Sequence, residues 1–171
     1  SSGKLTAQII EGAPFDLLLS ADMKYPQELY DRKFTLFQPD IYAYGNLILW
    51  TLHEDVAPEL ETLLSEQITH IAIGNPKTAP YGVSAMEVLR KFGIDQAVQK
   101  KLVYGESIAQ TNQFIISRSI DLGFTSKSVV MSSQMKGRGQ WSEINKDLYS
   151  PMAQGMVVLK SRKTFESKAI Q

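Results

Sequence analysis

Three places in the chain combine the expected start of a helix with small or hydroxyl-bearing residues. The first backbone N–H groups of a helix have no partner within it and lie at the positive end of its dipole, so such a start can bind an anion. Hydroxyl groups add further donors, and a lysine or arginine is not required. Each start also has a structural explanation as an ordinary N-cap or a tight turn. The three stretches are "SSGKL" (1–5), "TAPYGVSAM" (78–86) and "GESIAQTN" (105–112).

Other site chemistries find little support in the sequence. It contains no G-x-S-x-G, G-x-x-x-x-G-K-[ST], H-E-x-x-H or G-x-G-x-x-G motif, and it has no cysteine. The two histidines, His53 and His70, lie at strand ends and are interpreted as structural or surface residues. The sequence therefore predicts a protein that is not an enzyme, needs no cofactor and supplies no direct metal ligands.

Composition limits the kinds of partner. The 171 residues are 43% hydrophobic and 21% charged, with 18 Lys+Arg balancing 18 Asp+Glu. A nucleic-acid-binding protein usually has a basic excess or stripe, so we expect no nucleic-acid partner. The apolar run "LILWTL" (47–52) is too short to span a bilayer, and we expect no membrane span.

Strand and helix patterns alternate along the chain, which is typical of an α/β protein with mainly parallel strands. In such folds ligands bind at the carboxyl ends of the strands, where the helices begin, so three such helix starts indicate an anion pocket. Predicted strands cover 15–20, 41–51, 70–73, 121–126 and 151–160, and a further short strand ends the stretch 95–105. Predicted helices cover 3–12, 25–32, 57–66, 80–92, 107–118 and 127–134; another opens the stretch 95–105, and a last helix begins in "TFESKAIQ" (164–171).

Two of the predicted strands carry a glycine in the middle and could cross between two lobes. They are residues 41–51, interrupted at Gly45–Asn46, and residues 151–160, interrupted at Gln154–Gly155. We therefore expect a first lobe from residues 1–45 and 156–171, and a second lobe from residues 46–155. The alternative is that both runs are ordinary long strands of one sheet.

The same residues resemble a known family, the periplasmic molybdate-binding proteins that serve as substrate-binding components of molybdate ABC transporters. The resemblance covers essentially the whole chain, and "GAPFDLLLSAD" is its most specific part. Family members extend further at both ends, so the chain is expected to be truncated at both. The matching motifs are "SSGKL-x-x-QI-x-x-GAPFDL-x-LSAD" (1–22), "YGNLILW" (44–50), "IAIGNPKTAPYG-x-x-A-x-E-x-L" (71–89), "GESIAQTNQF" (105–114), "LGFTSKS" (122–128) and "DLYSPMAQGMVVLK" (147–160).

The resemblance implies a two-lobe periplasmic-binding-protein fold of the class II type, in which each lobe is a mainly parallel sheet flanked by helices. It implies that Ser2 donates its hydroxyl and backbone N–H to the oxyanion, and that Tyr81 and Ile108 donate backbone N–H groups. Ser126 stands where one branch of the family has a tyrosine hydroxyl, and Asn112 is an alternative for that fourth contact. The stiff connector "NPKTAPYG" would aim the Tyr81 amide before the ligand arrives.

The resemblance further implies an exported, periplasmic, monomeric protein that binds molybdate and tungstate through their oxygens and passes them to a membrane permease. Two alternatives remain open at this point. Another tetrahedral oxyanion, sulfate or phosphate, could be the ligand, since Glu106 lies near a proposed contact and could accept the proton of phosphate. The chain could also be the ligand-sensing effector domain of a transcription regulator.

Overall fold

The computed structural model describes residues 2–160, so Ser1 and the predicted helix in 164–171 lie outside the described residues. The six described helices are Ser2–Ile10 (α1), Lys24–Asp31 (α2), Pro80–Lys91 (α3), Asp95–Val98 (α4), Ile108–Ile116 (α5) and Lys127–Val130 (α6). The eight described strands are Leu17–Leu19 (β1), Asp40–Gly45 (β2), Leu47–Thr51 (β3), Ile71–Gly74 (β4), Leu102–Gly105 (β5), Leu122–Ser126 (β6), Gln140–Glu143 (β7) and Met152–Val158 (β8).

The described residues form two compact units. One contains the chain up to Gly45 and again from Met152 onward, and the other contains Asn46–Pro151. The extended run predicted over 41–51 is therefore two strands, because β2 and β3 belong to different sheets.

The return to the first unit lies earlier than the predicted break at Gln154–Gly155. β8 is one continuous strand from Met152, and its Gly155 pairs with Ile41 of β2. A Cβ at Gly155 would lie 2.6 Å from the Met23 sulfur, so the glycine lets α2 pack closely on the strand. This glycine serves packing inside the sheet.

The sheet of the first unit is antiparallel, so the prediction of a mainly parallel sheet in each lobe is wrong here. β8 lies between β1 and β2 and pairs antiparallel with both. One face of the sheet packs under α1 and α2 around Leu18, Leu29 and Val157. On the other face Leu17 and Val158 are half exposed.

The sheet of the second unit is mixed, in the order β5-β4-β6-β3-β7. β4 is parallel to β5 and β6, whereas β3 is antiparallel to β6 and β7. Its core includes Trp50 and Phe124, both almost completely buried. The three parallel strands place their carboxyl ends at one edge.

Two elements of the second unit differ from the sequence prediction. The helix predicted over 57–66 is only a 3₁₀ turn, Glu61–Leu64, because only Leu63 of its apolar stripe is buried and little packing stabilises a longer helix. β7 was not predicted, because its four residues carry no apolar alternation. It is held as an edge strand by pairing with β3.

Candidate functional site

The carboxyl edge of β4 and β5 brings two helix starts together. The strands pair in parallel register, with Gly74 opposite Gly105. α3 begins six residues after Gly74 and α5 begins three residues after Gly105. The first turns of these helices contain Tyr81 and Ile108, two of the residues predicted to contact an anion.

The connector into α3 is fixed by hydrogen bonds around Asn75. The Asn75 carbonyl accepts from the N–H groups of Thr78 and Ala79, at 3.0 and 2.8 Å, and its side-chain oxygen accepts from the Lys77 N–H at 3.0 Å. Pro80 then occupies the first turn, where a missing N–H costs nothing. A Cβ at Gly82 would overlap the Gly74 carbonyl, so glycine allows the helix start to rest directly on the strand end.

The start of α5 is held in a similar way. The Ser107 hydroxyl caps the helix by accepting from the Gln110 N–H at 3.3 Å, and the Gln110 side-chain oxygen accepts from the Glu106 N–H at 2.7 Å. A Cβ at Gly105 would lie 2.5 Å from the Thr111 hydroxyl oxygen. Ile108 is thus the first residue of a helix whose start is capped and seated against its strand.

Hydrogen bonds join the two connectors to each other. The Asn75 N–H donates to the Gly105 carbonyl at 2.7 Å, and the Thr78 hydroxyl donates to the Glu106 carbonyl at 3.0 Å. The Asn75 amide also donates to the Glu106 carboxylate at 3.1 Å. These bonds set the spacing between the starts of α3 and α5.

Tyr81 and Ser126 contact each other through their side chains. Tyr81 is 5% exposed and Ser126 is 6% exposed, and the Tyr81 hydroxyl donates to Ser126 Oγ at 3.0 Å. Ser126 ends β6 and is the N-cap of α6. Its neighbour Thr125 donates to the side-chain oxygen of Asn112, so this oxygen of the alternative fourth contact already has a partner.

Ser2 belongs to the other compact unit and is the first residue of α1. Its hydroxyl oxygen accepts from the Ala21 N–H at 3.3 Å, and its carbonyl accepts from the Thr6 hydroxyl at 3.0 Å. Ala21 follows β1, so the contact joins the start of α1 to the carboxyl end of that strand. The hydroxyl proton of Ser2 is not used in accepting from Ala21 and can be donated.

The histidines lie at the other edge of the second unit's sheet, near the amino ends of β4 and β6. His53 Nε2 is 3.2 Å from the Ile120 carbonyl, and His70 Nδ1 is 2.9 Å from the Thr69 hydroxyl. The Asp121 carboxylate accepts from the N–H groups of Thr69 and His70 at 2.7 and 2.8 Å. Partial burial raises the pKa of Asp121, but these hydrogen bonds outweigh it and leave the pKa below its ordinary value.

A groove of about 490 Å³ in the second unit contains none of the predicted site residues. Its walls include Phe92 and three carboxylates, those of Glu59, Glu61 and Glu143, so it would repel an anion. Within residues 2–160 no group of three or more His, Cys, Asp or Glu side chains is placed to hold a metal ion. The helices of that same range are all too short or too polar to cross a membrane.

Sequence reasoning missed the side-chain contacts around Ser126. Leu47 pairs with Ser126 across β3 and β6, and the Leu47 N–H donates to the Tyr149 hydroxyl at 3.2 Å. Ser128 Oγ lies 2.7 Å from Ser126 Oγ. The one signal in the sequence was the hydroxyl-rich stretch "TSKS" (125–128), which marks a helix start but not its partners.

Comparison with known proteins gives a consistent match along the chain. Residues 1–169 match the family model described as bacterial extracellular solute-binding protein. The molybdate-binding protein ModA of Rhodobacter capsulatus is 35% identical over 161 residues, and ModA of Azotobacter vinelandii is 37% identical over 161 residues. These alignments cover 94% and 92% of this chain but 63% and 64% of the relatives, so the chain spans less than two thirds of their length.

Solved structures are similar as well. The periplasmic molybdate-binding protein of Azotobacter vinelandii superposes with a TM-score of 0.85 at 30% identity, covering 99% of this chain and 75% of that one. The substrate-binding domain of a putative molybdenum ABC transporter from Clostridium difficile superposes with a TM-score of 0.70 at 24% identity, covering 99% and 74%. The second similarity establishes the fold alone.

Proposed function

The chain belongs to the bacterial extracellular solute-binding protein family, and we propose that its solute is a tetrahedral oxyanion, molybdate, bound for import by an ABC transporter. The resemblance read from the sequence is confirmed at the level of the family. The observation that carries the proposal is the placement of α3 and α5 after Gly74 and Gly105, a pair in adjacent parallel strands. Two positive helix ends at one sheet edge stabilise a dianion without a cationic side chain.

In this proposal Ser2 donates its hydroxyl to the anion, and Tyr81 and Ile108 donate backbone N–H groups. Ser2 is suited to donate to the anion because its hydroxyl oxygen accepts from the Ala21 N–H, which leaves the hydroxyl proton available for donation. Tyr81 and Ile108 lie in the first turns of α3 and α5, whose spacing is set by the bonds around Asn75 and Glu106. Molybdate held through its oxygens needs no direct metal ligand.

A set of donors favours a fully deprotonated dianion. Phosphate that carries a proton requires an acceptor, and the nearby candidate, the Glu106 carboxylate, is exposed to water and held toward the Asn75 amide by one of its oxygens. Sulfate is smaller than molybdate, so donors fixed at a spacing suited to molybdate make longer bonds to it. Tungstate matches molybdate in charge and shape and is expected to bind similarly.

The relatives that carry the name molybdate-binding protein support a transport role over that of a regulator's effector domain. The protein then acts in the periplasm as a monomer, without catalysis, and its partner is the membrane permease of the transporter. The permease receives the anion and the protein is used again.

Thermal unfolding of the purified protein with sodium molybdate, tungstate, sulfate and phosphate at equal ionic strength tests the proposal, with sodium chloride as the control. A ligand present at 1,000 times its Kd stabilises the fold by about 4 kcal/mol. We expect large shifts with molybdate and tungstate and small ones with the other two anions. Equal shifts with sulfate or phosphate would remove the molybdate assignment, and no shift with any anion would remove oxyanion binding.

A further inference from the structure

We infer that Ser126 is a positioning residue for Tyr81 and does not donate to the anion. The inference rests on the proposed oxyanion binding, because Ser126 would affect that binding through the direction in which the first backbone N–H groups of α3 point. It changes the role that the family resemblance implies for Ser126, which was a fourth contact to the anion. The evidence for this positioning role is the set of hydrogen bonds that Ser126 and Tyr81 make within the second unit.

The hydrogen bonds of the Ser126 hydroxyl are all made inside the protein. Its oxygen accepts from the Tyr81 hydroxyl at 3.0 Å and from the Ser128 N–H at 3.3 Å. A hydroxyl oxygen has two lone pairs, so these two donors fill it. The 2.7 Å contact to Ser128 Oγ then has Ser126 as its donor. The hydroxyl has no capacity left for an anion unless one of these bonds breaks.

Backbone hydrogen bonds hold Ser126 on both sides. It pairs with Leu47 across β3 and β6, and the N–H of the following residue, Lys127, donates to the Asn46 carbonyl at 2.9 Å. The Leu47 N–H in turn donates to the buried Tyr149 hydroxyl. The Ser126 oxygen is therefore a fixed acceptor at the end of a central strand.

A fixed acceptor for the Tyr81 hydroxyl sets the rotation of the first turn of α3. Tyr81 is the second residue of this helix and its ring is buried, so the side chain and the backbone N–H move together. Holding the ring limits the conformations that must be lost when a ligand binds, which preserves affinity. Ser126 and Tyr81 should therefore act as one unit.

The test is a double-mutant cycle of Ser126→Ala and Tyr81→Phe, in which molybdate affinity is measured by isothermal titration. Both single variants remove the Tyr81–Ser126 hydrogen bond, so each should weaken binding about three- to tenfold, and the double variant should be weakened by clearly less than the product of the two single effects. The matched control is Ser132→Ala, an exposed serine of the same unit whose hydroxyl donates to the Val129 carbonyl. Titration reports the affinity of folded protein, which a purely structural loss of stability would leave unchanged.

Two results would overturn the inference. A Ser126→Ala loss that persists in full in the Tyr81→Phe background would identify Ser126 as a direct contact, and unchanged affinity in both single variants would remove any role in aiming α3. Amide hydrogen exchange in anion-free protein gives a separate readout, since both variants should speed exchange in the first turn of α3. If the parent binds no oxyanion, the proposed function fails, and the exchange rates still decide whether Ser126 anchors Tyr81.

Discussion

Replacing Ser2 by alanine tests the assignment of the first contact. The change removes a hydroxyl that accepts from the Ala21 N–H at 3.3 Å and whose proton is proposed to go to the anion. Losing a hydrogen bond to a charged partner costs roughly 1.5–3 kcal/mol, about ten- to a hundredfold in affinity. Losing the neutral bond from Ala21 costs only about 1 kcal/mol of folding stability. Affinity should therefore fall more than stability.

A matched control separates the two effects. Ser65 is also partly buried and accepts a backbone N–H, that of Gln67, at the same distance of 3.3 Å. Ser65→Ala should lower stability by a similar amount, about 1 kcal/mol or less, and leave molybdate affinity unchanged. Both variants are measured by denaturant unfolding without ligand and by isothermal titration with molybdate.

The decisive comparison is the ratio of affinities between the two variants. If Ser2→Ala binds molybdate as tightly as Ser65→Ala does, Ser2 is only a structural residue at the start of α1. The role that the family resemblance implies for Ser2, donation to the anion, would then be wrong.

Three further variants probe the second unit. Gly82→Ala should destabilise the fold by about 1–3 kcal/mol in denaturant unfolding, because the new methyl group overlaps the Gly74 carbonyl; stability equal to the parent would contradict this packing. Asn75→Ala removes the donor to the Glu106 carboxylate and should weaken molybdate binding about two- to fivefold by titration, whereas an affinity equal to the parent would show that this bond does not set the helix spacing. The pKa of Asp121 is lowered on folding, so its stabilisation is present above the unfolded pKa and is lost as the pH falls through the folded pKa. Asp121→Asn should accordingly flatten the acid side of the stability curve measured by urea unfolding, and an unchanged acid slope would refute this.

The elements that the sequence predicted best have their signals within a few residues. Gly93 ends α3 with a positive φ of 78°, the left-handed conformation that glycine adopts at a helix end. Ser107, the first residue of the helix predicted over 107–118, caps α5 through a similarly local contact. The direction of strand pairing has no such local signal. β8 pairs with β1 and β2 across more than a hundred residues of chain, and the antiparallel sheet of the first unit was consequently missed.

In the candidate site, too, features marked by neighbouring residues could be predicted, and contacts between distant residues could not. The starts of α3 and α5 could be located because "NPKTAPYG" and "GESIAQTN" mark them directly. The contact between Tyr81 and Ser126 could not, since it joins residues 45 positions apart and depends on the rotation of α3 over the sheet. The family resemblance offered Ser126 as a fourth contact to the anion, while the structure shows its oxygen accepting from the Tyr81 hydroxyl.

On the proposed function, the hydrogen-bonded spacing of the helix starts lets a chain with zero net charge select a dianion. Backbone N–H groups bring no charge of their own that must be desolvated when the site is empty, whereas a buried lysine would carry that cost. Their positions follow from the register of Gly74 with Gly105 and from the bonds around Asn75. Selectivity then depends on where the backbone lies, and a side chain can alter it mainly by moving the backbone. Substitutions at Gly82 and Ser126 should consequently change affinity more than neutralising Lys77, the lysine of the connector.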